Sequence, residues 1–162
     1  MDKFGPYTKE LIEHFQNPRN FGKIKNPDGA GQVGNVVCGD VMYLYIKVGK
    51  NKKGEEIIKD VKFETYGCAA AIGTSSVVTD LAKGKNLKEA LEITNDKIVK
   101  KLGGLPPIKV HCSVLAVDAL AEAIFDYLSK NQKPIPESLQ KKHEKIKGEK
   151  EIIEERYKEW RK

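Results

Sequence analysis

Long apolar runs are missing from this chain of 162 residues. No stretch approaches the ~20 residues needed to cross a bilayer as a helix, so no membrane association is expected. The opening stretch, MDKFGPYTKE, has no apolar centre of the kind a secretory signal carries, and the sequence reads as cytoplasmic. Cysteine is scarce. The chain has three, an odd number and too few for a disulfide framework; in a reducing compartment they point to burial, metal binding or thiol chemistry. Aromatic residues make up only 7%, with no RNP-like motif and no zinc-finger spacing. The net charge of +6 comes from lysines interspersed with Glu and Asp throughout. Nucleic acid is therefore not an expected partner.

What is present suits one globular domain with an appendage. YTKELIEHFQNPRNFG opens on a possible Thr8 cap, sets Leu11, Ile12 and Phe15 on one helical face, and stops at Pro18. Residues 22–40, rich in Gly, Asn, Asp and Pro, read as loop or short extended segments. VMYLYIKV (41–48) and IIKDVKFETY (57–66) alternate and are joined by the turn-forming GKNKKGEE, so they predict a hairpin. CAAAIGTSSVVTDLAKG (68–84) predicts a helix closed by Gly84, with short helices expected near 87–92 and 95–101. SVLAVDALAEAIFDYL (113–128) is the longest clear helix, with Leu115, Ala119, Ile124 and Leu128 at helical spacing. The expected fold is α+β: a small antiparallel sheet of about three strands packed against several helices. KPIP (133–136) divides a domain over 1–132 from a Lys/Glu-rich, helical extension over 133–162. There Ile153, Tyr157 and Trp160 follow an i, i+4, i+7 spacing that could dock on the domain or on a partner; the alternative is a solvated tail. His14 and His143 have no chemical company in the sequence and read as ordinary surface residues.

Each cysteine falls at a junction between elements. Cys38 lies in GNVVCGD before the first hairpin strand. Cys68 lies in TYGCAAA, where Gly67 turns the second strand into a helix. Cys112 opens the long helix. Helix N-termini favour thiolate, the form that binds metal and attacks sulfur. Gly39 and Gly67 offer unusual backbone angles and close approach. Asp40 can add an oxygen ligand and His111 an imidazole nitrogen. Lys109 can stabilise thiolate or sulfide charge or be simply solvated. Cys38, Asp40, Cys68, His111 and Cys112 thus form a mixed sulfur, nitrogen and oxygen set that suits zinc or a loosely held iron–sulfur cluster.

HFQNPRNFG, GNVVCGDVM, TYGCAAAIGTSS and LPPIKVHCSVLAVDA, in that order, resemble the IscU/NifU-type iron–sulfur cluster assembly scaffolds from about Tyr7 to Lys130. The resemblance implies an IscU/SufE-like fold and a non-catalytic scaffold that builds a [2Fe–2S] cluster, or a [4Fe–4S] cluster across a homodimer. The sources are Fe2+ and the sulfur of a cysteine desulfurase, and the product passes to apo acceptor proteins. It implies that Cys38, Cys68 and Cys112 are the cluster cysteines and that Cys112 accepts persulfide. Asp40 then matches the aspartate tied to cluster lability, His111 an alternative ligand, and Zn2+ can occupy the empty site. Leu105, Pro106, Pro107, Ile108 and Lys109 match a segment read by an Hsp70-type chaperone; a ferredoxin or frataxin-like protein is a further implied partner. Three positions depart from the family pattern: Ile108 replaces valine, Val36 replaces proline, and Val117 stands where many members carry glutamate. Two other functions stay open. One is a zinc-bound SufU-like sulfurtransferase, whose usual insertion and missing histidine are not matched here; the other is a binding module held by structural zinc.

Overall fold

A computed structural model describes residues 5–34 and 40–160, apart from the side chains of Tyr157 and Trp160. Cys38, Gly39 and Val36 lie outside the described residues. β1 (Gly29–Gly34), β2 (Val41–Lys50) and β3 (Glu56–Tyr66) form an antiparallel sheet in that order. The β2–β3 turn is organised by Asn51, whose Oδ1 accepts from the N–H groups of Lys53 and Glu55, and Gly54 takes a positive φ of 79°. Alternation puts Met42, Leu44, Ile46, Val61 and Phe63 on the buried face. A register shift at Lys47/Val48 resets that alternation, so Ile58 is buried as well as Val61.

β1 comes from the glycine-rich stretch that read as loop or short extended segments. Its glycines have a packing reason. A Cβ on Gly29 would lie 2.2 Å from the Ala123 carbonyl oxygen, and one on Gly31 would lie 2.4 Å from that of Ala119. The helix α5 (Val110–Lys130) therefore rests directly on the strand backbone, through Ala119 and Ala123 on its own side. The free edge of β3 is covered too. Phe63 pairs with Asn20 and Gly22, and Ile58 with Gly84 and Lys85, through backbone hydrogen bonds of 2.8–3.0 Å, leaving no bare template for strand addition there.

α1 (Lys9–Gln16) is capped by Thr8, whose Oγ1 accepts from the Leu11 N–H. α2 (Ala69–Ala82) packs on β3 and is buried nearly all round. Its Thr74, Ser75 and Thr79 hydroxyls donate to carbonyls within the same helix, so no polar group is stranded. Gly73 leaves room for Leu11 of α1, whose Cδ1 sits 2.4 Å from where a Cβ would be. α3 (Leu87–Leu91) and α4 (Asn95–Lys101) start at side-chain caps from Asn86 and Thr94. α6 (Glu137–Trp160) packs on α5 and reaches β1. Among the described residues no helix is long and apolar enough to cross a membrane.

Three sequence expectations need correction. The long helix begins at Val110 rather than 113, because Pro107–Lys109 form a 3-10 turn that leads straight into it. Pro106, just before that turn, has extended backbone, with ψ 139°. The two histidines are not ordinary surface residues. His143 hydrogen-bonds Glu122 at 2.9 Å and stacks on Phe125, while His14 is 6% exposed. The Arg19 guanidinium can only donate, so His14 Nε2 accepts at 2.9 Å. The ring proton then sits on Nδ1, 2.8 Å from the Ser76 hydroxyl. Ser76 also accepts from the Arg19 N–H. Isolated in sequence, His14 gave no sign of these partners, which lie on α2 and beyond Pro18.

Burial first, and then the Arg19 charge, holds the His14 pKa below its ordinary value. The unfolded chain protonates this histidine near its usual ~6.5, while the folded chain resists. Its contribution to stability is thus fully present above that value and is lost as pH falls through it toward the folded pKa. Urea unfolding from about pH 7 to pH 5 should show a flatter stability slope for His14→Asn than for wild type. Equal slopes would contradict this role.

Candidate metal and thiol site

The site forms where three elements end. β2 begins just after Asp40, β3 leads through Tyr66 and Gly67 into α2, and α5 starts with Val110, His111 and Cys112. Cys68 is the N-cap residue of α2 and Cys112 is the third residue of α5. Both helix N-termini thus point their positive ends at this region, an arrangement that favours anionic sulfur. The Thr74 hydroxyl, whose proton goes chiefly to the Ala70 carbonyl at 2.8 Å, also lies 3.2 Å from the Cys112 carbonyl oxygen, where α5 meets α2. The Ser113 hydroxyl donates to the Val110 carbonyl and braces the first turn.

Asp40, His111 and Cys112 each offer a ligand atom, all within 4.8 Å of one another. Cys112 Sγ is 3.6 Å from His111 Nε2 and 3.9 Å from Asp40 Oδ2. A tetrahedral metal bound at about 2.0–2.3 Å needs ligand atoms roughly 3.3–3.8 Å apart. The His111–Cys112 separation falls in that range and the Asp40–Cys112 one just beyond it, so a small adjustment would bring them around one ion. Cys68 stands outside this group but packs against the small cluster of Ala70, Ala71 and Cys112. Tyr7 and Leu105 cover the same cluster. Cys112 is only 1% exposed, whereas Cys68 is half-buried. Of the two described thiols, Cys68 is the one that a partner meets first. Cys38 lies outside the described residues.

Lys109 stands beside Cys68. Its pKa is raised, first by the neighbouring Cys68 sulfur and further by Tyr7 and Cys112, against some opposing desolvation. The ammonium is thus held protonated beside sulfur. The segment leading to it is open to solvent: Pro107 is exposed and Ile108 is 76% exposed. A fully exposed isoleucine adds nothing to the core, so this side chain is available to a partner.

Gly67 is needed for space rather than for an unusual angle, since its φ is not among the positive ones. A Cβ there would lie 2.9 Å from Asp40 Cγ and 3.0 Å from Asp40 Oδ1. The aspartate carboxylate therefore leans over the glycine toward Cys112. Sequence reading singled out Asp40, Cys68, His111 and Cys112 as candidates. It missed Thr74, which sat inside a quoted motif without a visible task, and Tyr7, for which no local signal exists.

Gly67→Ala should displace the Asp40 carboxylate and weaken Zn2+ binding roughly tenfold, as loss of ligand support commonly does. Competition with a chromophoric chelator measures this; unchanged affinity would show that the close approach is incidental.

Known proteins resemble this chain in sequence and fold. The NifU-like N terminal domain family matches residues 6–134. An iron–sulfur cluster assembly scaffold protein IscU 1 from Archaeoglobus fulgidus is 58% identical over 127 residues, 78% of this chain and 80% of the relative. The scaffold protein IscU of Escherichia coli K12 is 50% identical over 129 residues, 78% of this chain and 97% of the relative. Among solved structures, the N-terminal part of a NifU-like protein from Brucella abortus aligns with a TM-score of 0.58 at 21% identity, covering 77% of this chain and 96% of that one. That likeness concerns the fold alone. By sequence match over most of its length, this chain belongs to the NifU-like N-terminal domain family.

Proposed function

We propose that the protein is a scaffold on which [2Fe–2S] clusters are assembled from Fe2+ and desulfurase-derived sulfur and then handed to apo acceptor proteins. The observation that carries this reading is the gathering of Asp40, His111 and Cys112 within 4.8 Å, beside Cys68 with its Lys109 partner. The names of the IscU relatives support the same reading. The cluster is cargo. A site meant to keep a cluster would use four thiolates; an oxygen or nitrogen ligand in place of one gives a weaker hold and an exit.

In the proposed sequence, a scaffold thiolate attacks the outer sulfur of the desulfurase persulfide. The desulfurase S–S bond breaks, its cysteine leaves as thiolate, and a persulfide forms on the scaffold. Cys112 is the proposed final acceptor. Because it is buried, the segment carrying Leu105 and His111 has to shift, or Cys68 has to relay the sulfur. Lys109 offsets the negative charge as sulfur arrives. Two such transfers supply the two sulfurs. Splitting both persulfides to thiolate and sulfide takes four electrons, two from an external carrier of the ferredoxin type and two from the two Fe2+ ions, which become the Fe3+ of the cluster held by Asp40 and the cysteines. The exposed Pro107–Ile108 turn is the proposed chaperone contact. Cys38 is assigned to the same ligand set by its motif.

Anaerobic reconstitution with Fe2+, cysteine and a cysteine desulfurase, followed by visible and Mössbauer spectroscopy and addition of apo-ferredoxin, tests this. The expected result is a [2Fe–2S] spectrum that decays as holo-ferredoxin appears, with Asp40→Ala lengthening the lifetime of the bound cluster. Tightly held zinc, no iron spectrum and faster desulfurase turnover would instead establish a zinc-bound sulfurtransferase.

A further inference from the structure

The helix α6 lies beyond residue 134, where the family match ends, yet it reaches the site end of the molecule. Its inward stripe is Leu139, His143, Ile146, Lys150 and Ile153, spaced alternately by four and three residues, the repeat of a helix that packs along another. Leu139 and Ile146 are buried in the main core. His143 stacks on Phe125 with ring centroids 3.7 Å apart and bonds Glu122. Lys142 pairs with Asp118 at 3.8 Å. The short connection over 131–136 turns the chain back, so α6 runs along α5 toward the end that carries Cys112.

The last described contact of that stripe is with β1. Ile153 Cδ1 lies 3.4 Å from where a Gly34 Cβ would stand, and the Asp40 carbonyl oxygen lies 3.6 Å from the same point. Gly34 pairs with Val41, the residue after Asp40. The end of β1 thus lies beside an isoleucine methyl of α6 and the backbone of Asp40. From there the Asp40 carboxylate leans over Gly67 and comes 3.9 Å from Cys112. A continuous line of contacts runs from α6 through Gly34 to a proposed ligand.

We infer that Ile153 is a positioning residue for Asp40: by packing on Gly34 it holds the start of β2 so that the carboxylate stays aimed at the metal. The inference rests on the metal-site reading above. α6 then sets how firmly the oxygen ligand is offered, and hence how readily a thiophilic divalent ion or its cluster is kept or released.

Co2+ serves as the probe in the full-length protein, with affinity taken by titration and ligand geometry from the visible ligand-field bands. Ile153→Ala should lower affinity roughly tenfold, the low end for removing support from a ligand, and shift the bands. Ile153→Val removes the Cδ1 methyl while keeping the rest of the side chain; it should give a smaller loss in the same direction with α6 intact by circular dichroism. Ile152→Ala, at a neighbour that is 48% exposed, should change neither quantity. Most tellingly, adding Ile153→Ala to Asp40→Ala should cause no further loss. Equal losses in both backgrounds, or no loss in the wild-type background, overturn the inference alone. A wild-type protein that binds no Co2+ overturns the metal-site reading and this inference with it.

Discussion

α5 lies on the bare backbone of β1, and the site depends on that contact. Gly29 and Gly31 let the helix approach until its Ala119 and Ala123 carbonyls occupy the space where side chains would be. That depth fixes the height and direction of α5 over the sheet. Its first turn meets α2 where the Thr74 hydroxyl lies beside the Cys112 carbonyl. Asp40 lies just before β2 and Cys68 just after β3, so these candidate ligands are referred to the same sheet. A rigid core thus presents its ligands at the ends of elements, where they can still be reached.

Stability and chemistry are carried by different residues. Each fully buried side chain such as Phe63, Leu44 or Ile124 is worth about 1.5–3 kcal/mol, and these lie away from the thiols. Surface ion pairs such as Lys141–Glu137, both largely exposed, are worth at most about 1 kcal/mol each. α6 is therefore held by Leu139, Ile146 and the Phe125–His143 stack far more than by its many charges. The ligand group gains little from packing. Its small apolar backing is Ala70 and Ala71.

Much of this was legible in the chain. Alternation in VMYLYIKV and IIKDVKFETY marked the hairpin, and Thr8, Gly84 and the prolines marked helix limits. Four motifs brought Asp40, Cys68, His111 and Cys112 forward together. Other features were hidden for physical reasons. GAGQVG carries almost no side-chain pattern, because its strand is defined by what a helix backbone needs from it. The start of α5 was obscured because Pro107 can begin a helical turn as well as end one. His14 depends on Ser76 and Arg19, and Ile153 on Gly34; such pairings across the fold leave no mark in local spacing.

The chemical character of the site follows from its mixture of ligands. Thiolates grip iron or zinc strongly, whereas a carboxylate or imidazole in the remaining position lowers the cost of letting go. Zinc-edge X-ray absorption on the Zn2+-loaded protein tests this most directly. The account predicts a mixed shell, with sulfur at about 2.3 Å and nitrogen or oxygen at about 2.0–2.1 Å. A shell of light atoms alone, or one of sulfur alone, would contradict it.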